Sequence, residues 1–127
     1  IAATDAAGSS LVGVYSDNHE YLYPIRTGRN PDIVLADTEI LAAAPPRFLV
    51  AGMGDALSTK FEAEAVYLAG KTTVHGVLPT QTGVAMATLA YDIVTELGYM
   101  AKLSACVGRT THAFEKVVEA NLFLSGL

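Results

Sequence analysis

The chain has 127 residues, which is enough for one domain or for parts of two, and this length excludes a complete two-domain enzyme. Hydrophobic residues make up 51% of the chain and charged residues 17%, so we expect a packed core and not a disordered chain. The formal net charge of -5 disfavours nucleic acid and anionic membranes as partners, and the single cysteine, Cys106, excludes an internal disulfide.

Residues 1–37 have the pattern of strands and turns. The apolar run 11–15, the turn residues 16–19 and the alternation of Tyr21, Tyr23 and Ile25 with their neighbours predict a β-hairpin. After a second turn at 27–31, the apolar run from Asp32 to Asp37 is typical of a buried parallel strand.

The hydrophobic period changes at Asp37 and predicts helices from there onward. Asp37 or Thr38 is expected to cap a short helix through Ala44, and Pro45-Pro46 to begin another through residue 51. Gly52 and Gly54 then predict an interruption. A longer helix follows over residues 55–69, with Gly70 at its end and an apolar face made of Leu57, Phe61, Ala65 and Leu68.

The last third of the chain also has a helical pattern. Residues 71–82 are rich in Thr, Gly and Pro and predict a loop, or a loop and the start of a helix, before the apolar segment 84–97. Gly98 predicts a break, followed by a short helix over 99–107. Thr110 or Thr111 is expected to cap a final helix, whose apolar positions are Phe114, Val117, Val118, Asn121, Leu122 and Leu124.

Two carboxylates stand among small residues. Asp5 lies in the segment 4–10, where a carboxylate could accept hydrogen bonds from two hydroxyl groups, although a turn or a helix cap is an alternative role. Asp55 follows Gly52-Met-Gly54 at the head of a predicted helix, which suits either a metal ligand or an N-cap. Composition alone favours the cap.

The block Leu49 to Thr59, which includes Gly52-Met-Gly-Asp55-Ala-Leu-Ser58, closely resembles the bacterial glycerol dehydrogenases. These enzymes belong to the iron-containing, or metal-dependent, alcohol dehydrogenase superfamily. Residues 1–5, 30–38 and 119–127 resemble the same family, so the resemblance runs through the whole chain. Together with Ile1 in place of an initiating Met, it predicts an internal fragment of a longer protein.

The resemblance implies an α/β N-terminal piece followed by an all-α piece, in a dehydroquinate synthase-like fold. Residues 1–37 would be the last strands of a Rossmann-like nucleotide-binding domain, as a hairpin plus a parallel strand. Residues 38–127 would be the first part of a helical metal-binding domain. The full-length parent would be a homo-oligomer, since members of the family form rings of subunits.

The resemblance also implies a site for NAD-dependent oxidation of glycerol, or a related small polyol, to dihydroxyacetone. Asp55 corresponds to one of three protein ligands of a catalytic zinc, with iron as an alternative metal. Asp5 corresponds to the residue that binds the glycerol hydroxyls. The positions that match contacts to the nicotinamide end of NAD are Ser9, Leu11 and Tyr15.

The sequence departs from the family pattern in several places. The two histidine ligands of the family lie beyond residue 127, and His19, His75 and His112 do not match them. The glycine-rich phosphate-binding turn precedes residue 1 in the family. Ala7 and Gly8 replace a Pro and a small polar residue, which is expected to loosen the loop around Asp5 and to affect substrate preference.

Three functions therefore stand side by side. The first is a segment of a glycerol dehydrogenase, and the second is a segment of another alcohol or diol dehydrogenase of the same superfamily. The third is a truncated, non-catalytic chain that serves as a scaffold, and we expect the isolated 127 residues to be inactive. The chain has no long apolar run and no signal-peptide pattern, so we expect a cytoplasmic protein without a membrane partner.

Overall fold

A computed structural model of the chain describes residues 2–73 and 76–126. Two strands, β1 (Leu11–Tyr15) and β2 (Tyr21–Arg26), precede four α-helices. A 3-10 turn comes before β1, and a π-helical turn follows the last helix. The helices are α1 (Thr38–Ala42), α2 (Pro46–Ala69), α3 (Gln81–Cys106) and α4 (His112–Glu119), and the two turns are Asp5–Ala7 and Ala120–Leu124. None of the helices described is both long and apolar enough to cross a membrane.

The predicted hairpin is confirmed. Strands β1 and β2 pair antiparallel, with Leu11 opposite Arg26, and a bulge shifts the register next to Tyr15. His19 lies in the connecting turn with a positive φ of 62°, and it is exposed. The prediction that His19 is a turn residue is therefore correct.

The prediction of a parallel strand over 32–37 is wrong. These residues have no regular secondary structure, and Ile33 and Leu35 are 83% and 93% exposed. Within residues 2–73 and 76–126, the only sheet is the β1–β2 pair. An apolar run becomes a strand only when a neighbouring strand accepts its hydrogen bonds, and no described segment does so here.

Helix α2 is continuous through Gly52 and Gly54, so the predicted interruption is wrong. Asp55 accordingly lies inside the helix and is not its N-cap. The predicted break at Gly98 is wrong too, because α3 runs through it. Gly98 is buried where α3 meets Met53 of α2, and a glycine costs a helix interior only about 1 kcal/mol, so the packing of the two helices outweighs that cost.

The start of α1 and the end of α2 were predicted correctly. Asp37 caps α1 because its Oδ1 accepts hydrogen bonds from the backbone N–H groups of Glu39 and Ile40, both at 3.1 Å. Helix α1 stops at Ala42, two residues earlier than expected. Gly70 ends α2 in the left-handed conformation, with φ of 60°.

The core lies between α2, α3, α4 and the π-helical turn. Phe114 and Val117 of α4 are 1% and 0% exposed, in agreement with the predicted apolar face of the last helix. The predicted apolar face of α2 is confirmed only at Leu57, which packs against the core, because Phe61 and Leu68 are 58% and 83% exposed. The α2 residues buried in the core come mainly from the first half of the helix: Leu49, Gly52, Met53 and Ala56.

Thr111, and not Thr110, caps α4. Its Oγ1 accepts a hydrogen bond from the backbone N–H of Phe114 at 3.3 Å and lies 2.8 Å from the Ser104 hydroxyl. We expect Thr111→Ala to lower the free energy of unfolding by about 1 kcal/mol, as the loss of a threonine cap does. Urea unfolding measures this. Thr110→Ala, at the exposed neighbouring position, is the control, and an equal loss in both variants would contradict the assignment.

Candidate functional site

Asp5 begins the 3-10 turn Asp5–Ala7, which the side chain of Thr4 caps. The Thr4 hydroxyl lies 3.4 Å from Asp5 Oδ1 as a hydrogen-bond donor, and the backbone N–H of Gly8 donates to the Asp5 carbonyl at 2.8 Å. The Asp5 side chain is half-buried. Local hydrogen bonds therefore hold this carboxylate at a defined place on a short turn.

Gly8 packs closely against the π-helical turn. A Cβ atom at this position would lie 2.6 Å from the carbonyl oxygen of Leu122, which is closer than a side chain can approach. Gly8 is also buried. The expectation that Gly8 loosens the loop around Asp5 is therefore wrong, because this glycine is what lets the Asp5 turn pack against the C-terminal part of the chain.

Asp55 lies in the middle of α2 and is half-buried. The hydroxyl groups of Ser58 and Thr59, one turn further along, both donate to the Asp55 backbone carbonyl at 3.0 Å. These bonds involve the main chain of Asp55 and not its carboxylate.

The structure brings Asp5 and Asp55 close enough for their charges to interact. Burial raises the pKa of the Asp5 carboxyl above its ordinary value of 3.8, and the negative charge of Asp55 raises this pKa further. Glu62 lies two turns after Asp55 and has a weaker effect in the same direction. Two predicted site residues from distant parts of the chain are therefore near enough for the charge of one to affect the ionisation of the other.

The remaining predicted site residues lie along β1. Ser9 precedes the strand, and its hydroxyl oxygen accepts a hydrogen bond from the backbone N–H of Leu11 at 3.0 Å. Leu11 begins the strand and Tyr15 ends it, and strand alternation places both side chains on the same face. Tyr15 is 62% exposed, and its ring contacts Tyr21 edge to face with centroids 5.7 Å apart.

Gly13 lies between Leu11 and Tyr15 on that face. A Cβ atom at Gly13 would lie 3.2 Å from the Tyr15 ring and 3.6 Å from the Tyr21 ring, so the glycine makes room for both rings. Two of the predicted nicotinamide contacts, Leu11 and Tyr15, thus share a strand face. An extended chain rises about 3.3 Å per residue, so Tyr15 lies roughly 20 Å along the chain from Ser9. The predicted contacts are therefore spread along the length of the strand.

No group of three or more His, Cys, Asp or Glu side chains suited to a metal ion occurs within residues 2–73 and 76–126. His112 is exposed at the start of α4, as predicted, and the prediction for His75 concerns a residue outside those described. A cavity of about 280 Å³ lies between residues 34–38 and the C-terminal helices, but none of the five predicted site residues lines it.

Sequence reasoning missed the role of Asn121. It was assigned to the apolar face of the last helix, but its buried amide donates hydrogen bonds to the carbonyl oxygens of Ala2 and Leu49, both at 3.1 Å. An asparagine among apolar helix positions was the available signal, because a buried polar side chain is normally kept for its hydrogen bonds.

At neutral pH, Asp5→Asn should raise the free energy of unfolding above that of the wild type. At acid pH, this difference between the variant and the wild type should be smaller. The folded-state pKa of Asp5 is raised, so the native state binds this proton more tightly, and the resulting stability is present below pH 3.8 and lost as pH rises through the folded pKa. Asparagine carries no charge for Asp55 to repel. We expect a gain of about 0.5 kcal/mol in the free energy of unfolding at neutral pH, the size of a like-charge pair.

Urea titrations at acid and neutral pH test this expectation. Asp92→Asn is the matched control, because Asp92 is an exposed carboxylate on α3. A gain for Asp5→Asn that does not depend on pH, or one equal to that of the control, would contradict the raised pKa.

Comparison with known proteins gives one consistent result. The chain is 50% identical over all of its 127 residues to a glycerol dehydrogenase of Thermotoga maritima, of which it covers 35%. It is 41% identical over its whole length to a glycolaldehyde reductase of Halobacterium salinarum, again covering 35% of that protein. No protein-family model matches the chain.

A solved structure agrees with these relatives. The crystal structure of glycerol dehydrogenase from Schizosaccharomyces pombe matches 98% of the chain with a TM-score of 0.90 at 38% identity, and the match covers 32% of that protein. Sequence and fold together show that the chain is homologous to a segment of known oxidoreductases. Most of these relatives are named glycerol dehydrogenases, and the chain spans about a third of the length of the relatives it matches. The predicted resemblance is confirmed.

Proposed function

We propose that the chain is a segment of an NAD-dependent glycerol dehydrogenase that oxidises glycerol to dihydroxyacetone by hydride transfer to NAD at a zinc site. The observation that carries the proposal is that the turn carrying Asp5 contacts α2, the helix that carries Asp55, and that the charge of Asp55 acts on the Asp5 carboxyl. These are the two positions to which the resemblance assigns substrate and metal.

Among the residues present, Asp55 fits the role of one ligand in a metal site. Asp55 offers a carboxylate, which is a ligand type that both zinc and iron accept, and a cation bound there would offset the repulsion between Asp55 and Asp5. The described residues hold no group of three ligands, so side chains outside them would complete the coordination. Asp55 would thus hold the metal as one ligand among several.

Asp5 would orient the substrate. A carboxylate can accept hydrogen bonds from two adjacent hydroxyl groups of a polyol, and the turn that carries Asp5 is fixed by Thr4 and Gly8. When bound, zinc would supply Lewis acidity toward an alcohol oxygen and NAD would supply the hydride acceptor. Ser9, Leu11 and Tyr15 would contact the nicotinamide end of NAD.

The proposal extends to the organisation of the whole protein. Residues 1–37 would belong to a Rossmann-like nucleotide-binding domain and residues 38–127 to a helical metal-binding domain, in a dehydroquinate synthase-like fold. The small sheet followed by helices is consistent with that division. We propose a homo-oligomer in the cytoplasm.

A second candidate is a dehydrogenase for another small alcohol or diol. The 41% identity to a protein named glycolaldehyde reductase favours it, because relatives of similar identity carry different substrate names. The departure at Ala7 and Gly8 adjoins Asp5, the proposed substrate residue, so a change of substrate would arise there.

A chimera tests the proposal. The segment of the Thermotoga maritima glycerol dehydrogenase that matches this chain is replaced by the 127 residues, and NADH formation is measured with glycerol and with a panel of small diols. We expect turnover with glycerol, with the parent enzyme as the positive control. A folded chimera that prefers another diol would support the second candidate, and a folded but inactive chimera would support a non-catalytic chain.

A further inference from the structure

The side chain of Asn121 joins three separate parts of the chain. Asn121 is 1% exposed and lies in the π-helical turn. Its Nδ2 donates to the carbonyl of Ala2, near the N-terminus, and to the carbonyl of Leu49 in α2, each at 3.1 Å. An amide nitrogen carries two hydrogens, so both donors are used.

The neighbouring Gly52 makes this junction possible. A Cβ atom at Gly52 would overlap the Ala2 carbonyl oxygen and Asn121 Nδ2, and it would lie 2.9 Å from Asn121 Cγ. Gly54, two residues later on the same helix, has nothing within 4 Å of its Cβ position. The first glycine of the Gly-Met-Gly-Asp block therefore serves the contact with Asn121, one helical turn before Asp55.

The junction sets the place of Asp5 relative to α2. Ala2 precedes Asp5 closely in the chain, and Leu49 belongs to the same unbroken helix as Asp55. The Asp5 turn also rests on the segment that carries Asn121, because a Cβ atom at Gly126 would lie 2.9 Å from the Asp5 carbonyl oxygen. The segment that carries Asp5 and the helix that carries Asp55 are thus both bonded to one buried amide.

Packing alone does not explain an asparagine here. Its Oδ1 is buried and has no hydrogen-bond partner among the described residues, which is unfavourable compared with an apolar side chain of similar size. An apolar residue could not donate hydrogen bonds to the carbonyls of Ala2 and Leu49, as the two N–H groups of Asn121 do. The amide therefore holds these two backbone segments in place.

We propose that Asn121 is a positioning residue, which holds the N-terminal turn against α2 so that the carboxylates of Asp5 and Asp55 face the same site. The inference rests on the proposed function of these two carboxylates. Asn121 itself contacts backbone only and acts through the segments it joins.

Spin-label distances test the proposal. Labels are placed on Ala6→Cys and Ser58→Cys, two exposed positions next to Asp5 and Asp55, in a chain whose exposed Cys106 is replaced by serine. The distance distribution between the labels is compared with that of two further variants, Asn121→Ala and Asn121→Asp. Asn18→Ala, an exposed asparagine in the hairpin turn, is the matched control.

We expect a narrow distribution in the labelled parent and in the Asn18→Ala control, and its loss in both Asn121 variants while circular dichroism shows that they remain helical. An unchanged narrow distribution, with only a lower unfolding midpoint, would show a merely structural role and overturn the proposal. Failure of both variants to fold would also overturn it, because Asn121 would then be a core requirement.

The measurement uses no glycerol, metal or NAD, so its outcome is independent of the proposed activity. If the chimera oxidises glycerol, Asn121→Ala in the chimera should lower kcat. If the chimera is inactive while the label distances respond as expected, the positioning role stands and the proposed chemistry fails.

Discussion

Asp55→Ala in the chimera with the Thermotoga maritima enzyme is expected to reduce kcat for glycerol by at least about 100-fold. Residues that only support metal ligands already contribute about 10-fold to 100-fold, and a direct ligand should contribute more. Asp55 has this role in our proposal because the resemblance assigns this position to the metal, and because the charge of its carboxylate acts on Asp5, the proposed substrate residue. The rate of NADH formation is the measurement.

Metal content separates loss of the metal from loss of the fold. The chimera and its Asp55→Ala variant are dialysed against low zinc and analysed for zinc and iron, and Asp92→Ala on the exposed side of α3 is the matched control. We expect the metal to be lost in the Asp55 variant alone. Full metal content and full activity in Asp55→Ala would contradict the assignment.

Analysis of the isolated 127-residue chain gives a related answer. Stoichiometric zinc that is lost in Asp55→Ala would mean that other groups of this chain, or a second copy, complete a site. Absence of zinc in both would mean that the chain supplies one ligand to a site completed by residues outside it.

Gly52→Ala is expected to lower the free energy of unfolding by about 2 kcal/mol. The added methyl group would overlap the Ala2 carbonyl and the Asn121 amide, and overpacking of a tight core costs about 1 to 3 kcal/mol. The same variant should disturb the bonds from Asn121 to Ala2 and Leu49. Urea unfolding monitored by circular dichroism gives the value.

Gly54→Ala is the matched control for this experiment. The position is exposed in the same helix, and a Cβ atom there would contact nothing within 4 Å. Alanine should therefore raise the free energy of unfolding by about 1 kcal/mol through its better helix propensity. Equal changes in the free energy of unfolding for the two variants would contradict the assignment, because they would show that the close contacts at Gly52 do not require a glycine there.

Local chemistry explains the parts of the fold that could be predicted from sequence. Asp37 and Thr111 cap helices through hydrogen bonds to residues two or three positions away. Gly70 ends α2 by adopting the left-handed conformation, which glycine takes more easily than other residues. The hairpin follows from alternation and turn residues close together in the chain. In each case the determining contacts are short-range.

The wrong predictions concern residues whose role depends on distant partners. Gly52 and Gly98 read as helix breakers, but each lies where another segment approaches the helix: Asn121 in one case, Met53 in the other. The run around Ile33 and Leu35 has the composition of a strand, but no described strand pairs with it. Propensity is a weak term, and long-range packing overrides it.

The sequence by itself determined the resemblance of this chain to glycerol dehydrogenases, its hairpin, most of its helix ends and the choice of Asp5 and Asp55 as candidate site residues. Only the tertiary structure decided that α2 and α3 are unbroken, that the charge of Asp55 acts on Asp5, and that Asn121 joins the segments that carry these two residues. The physical reason is that these features depend on contacts between residues far apart in the chain. Such contacts form only when the helices pack, and local sequence patterns do not predict them.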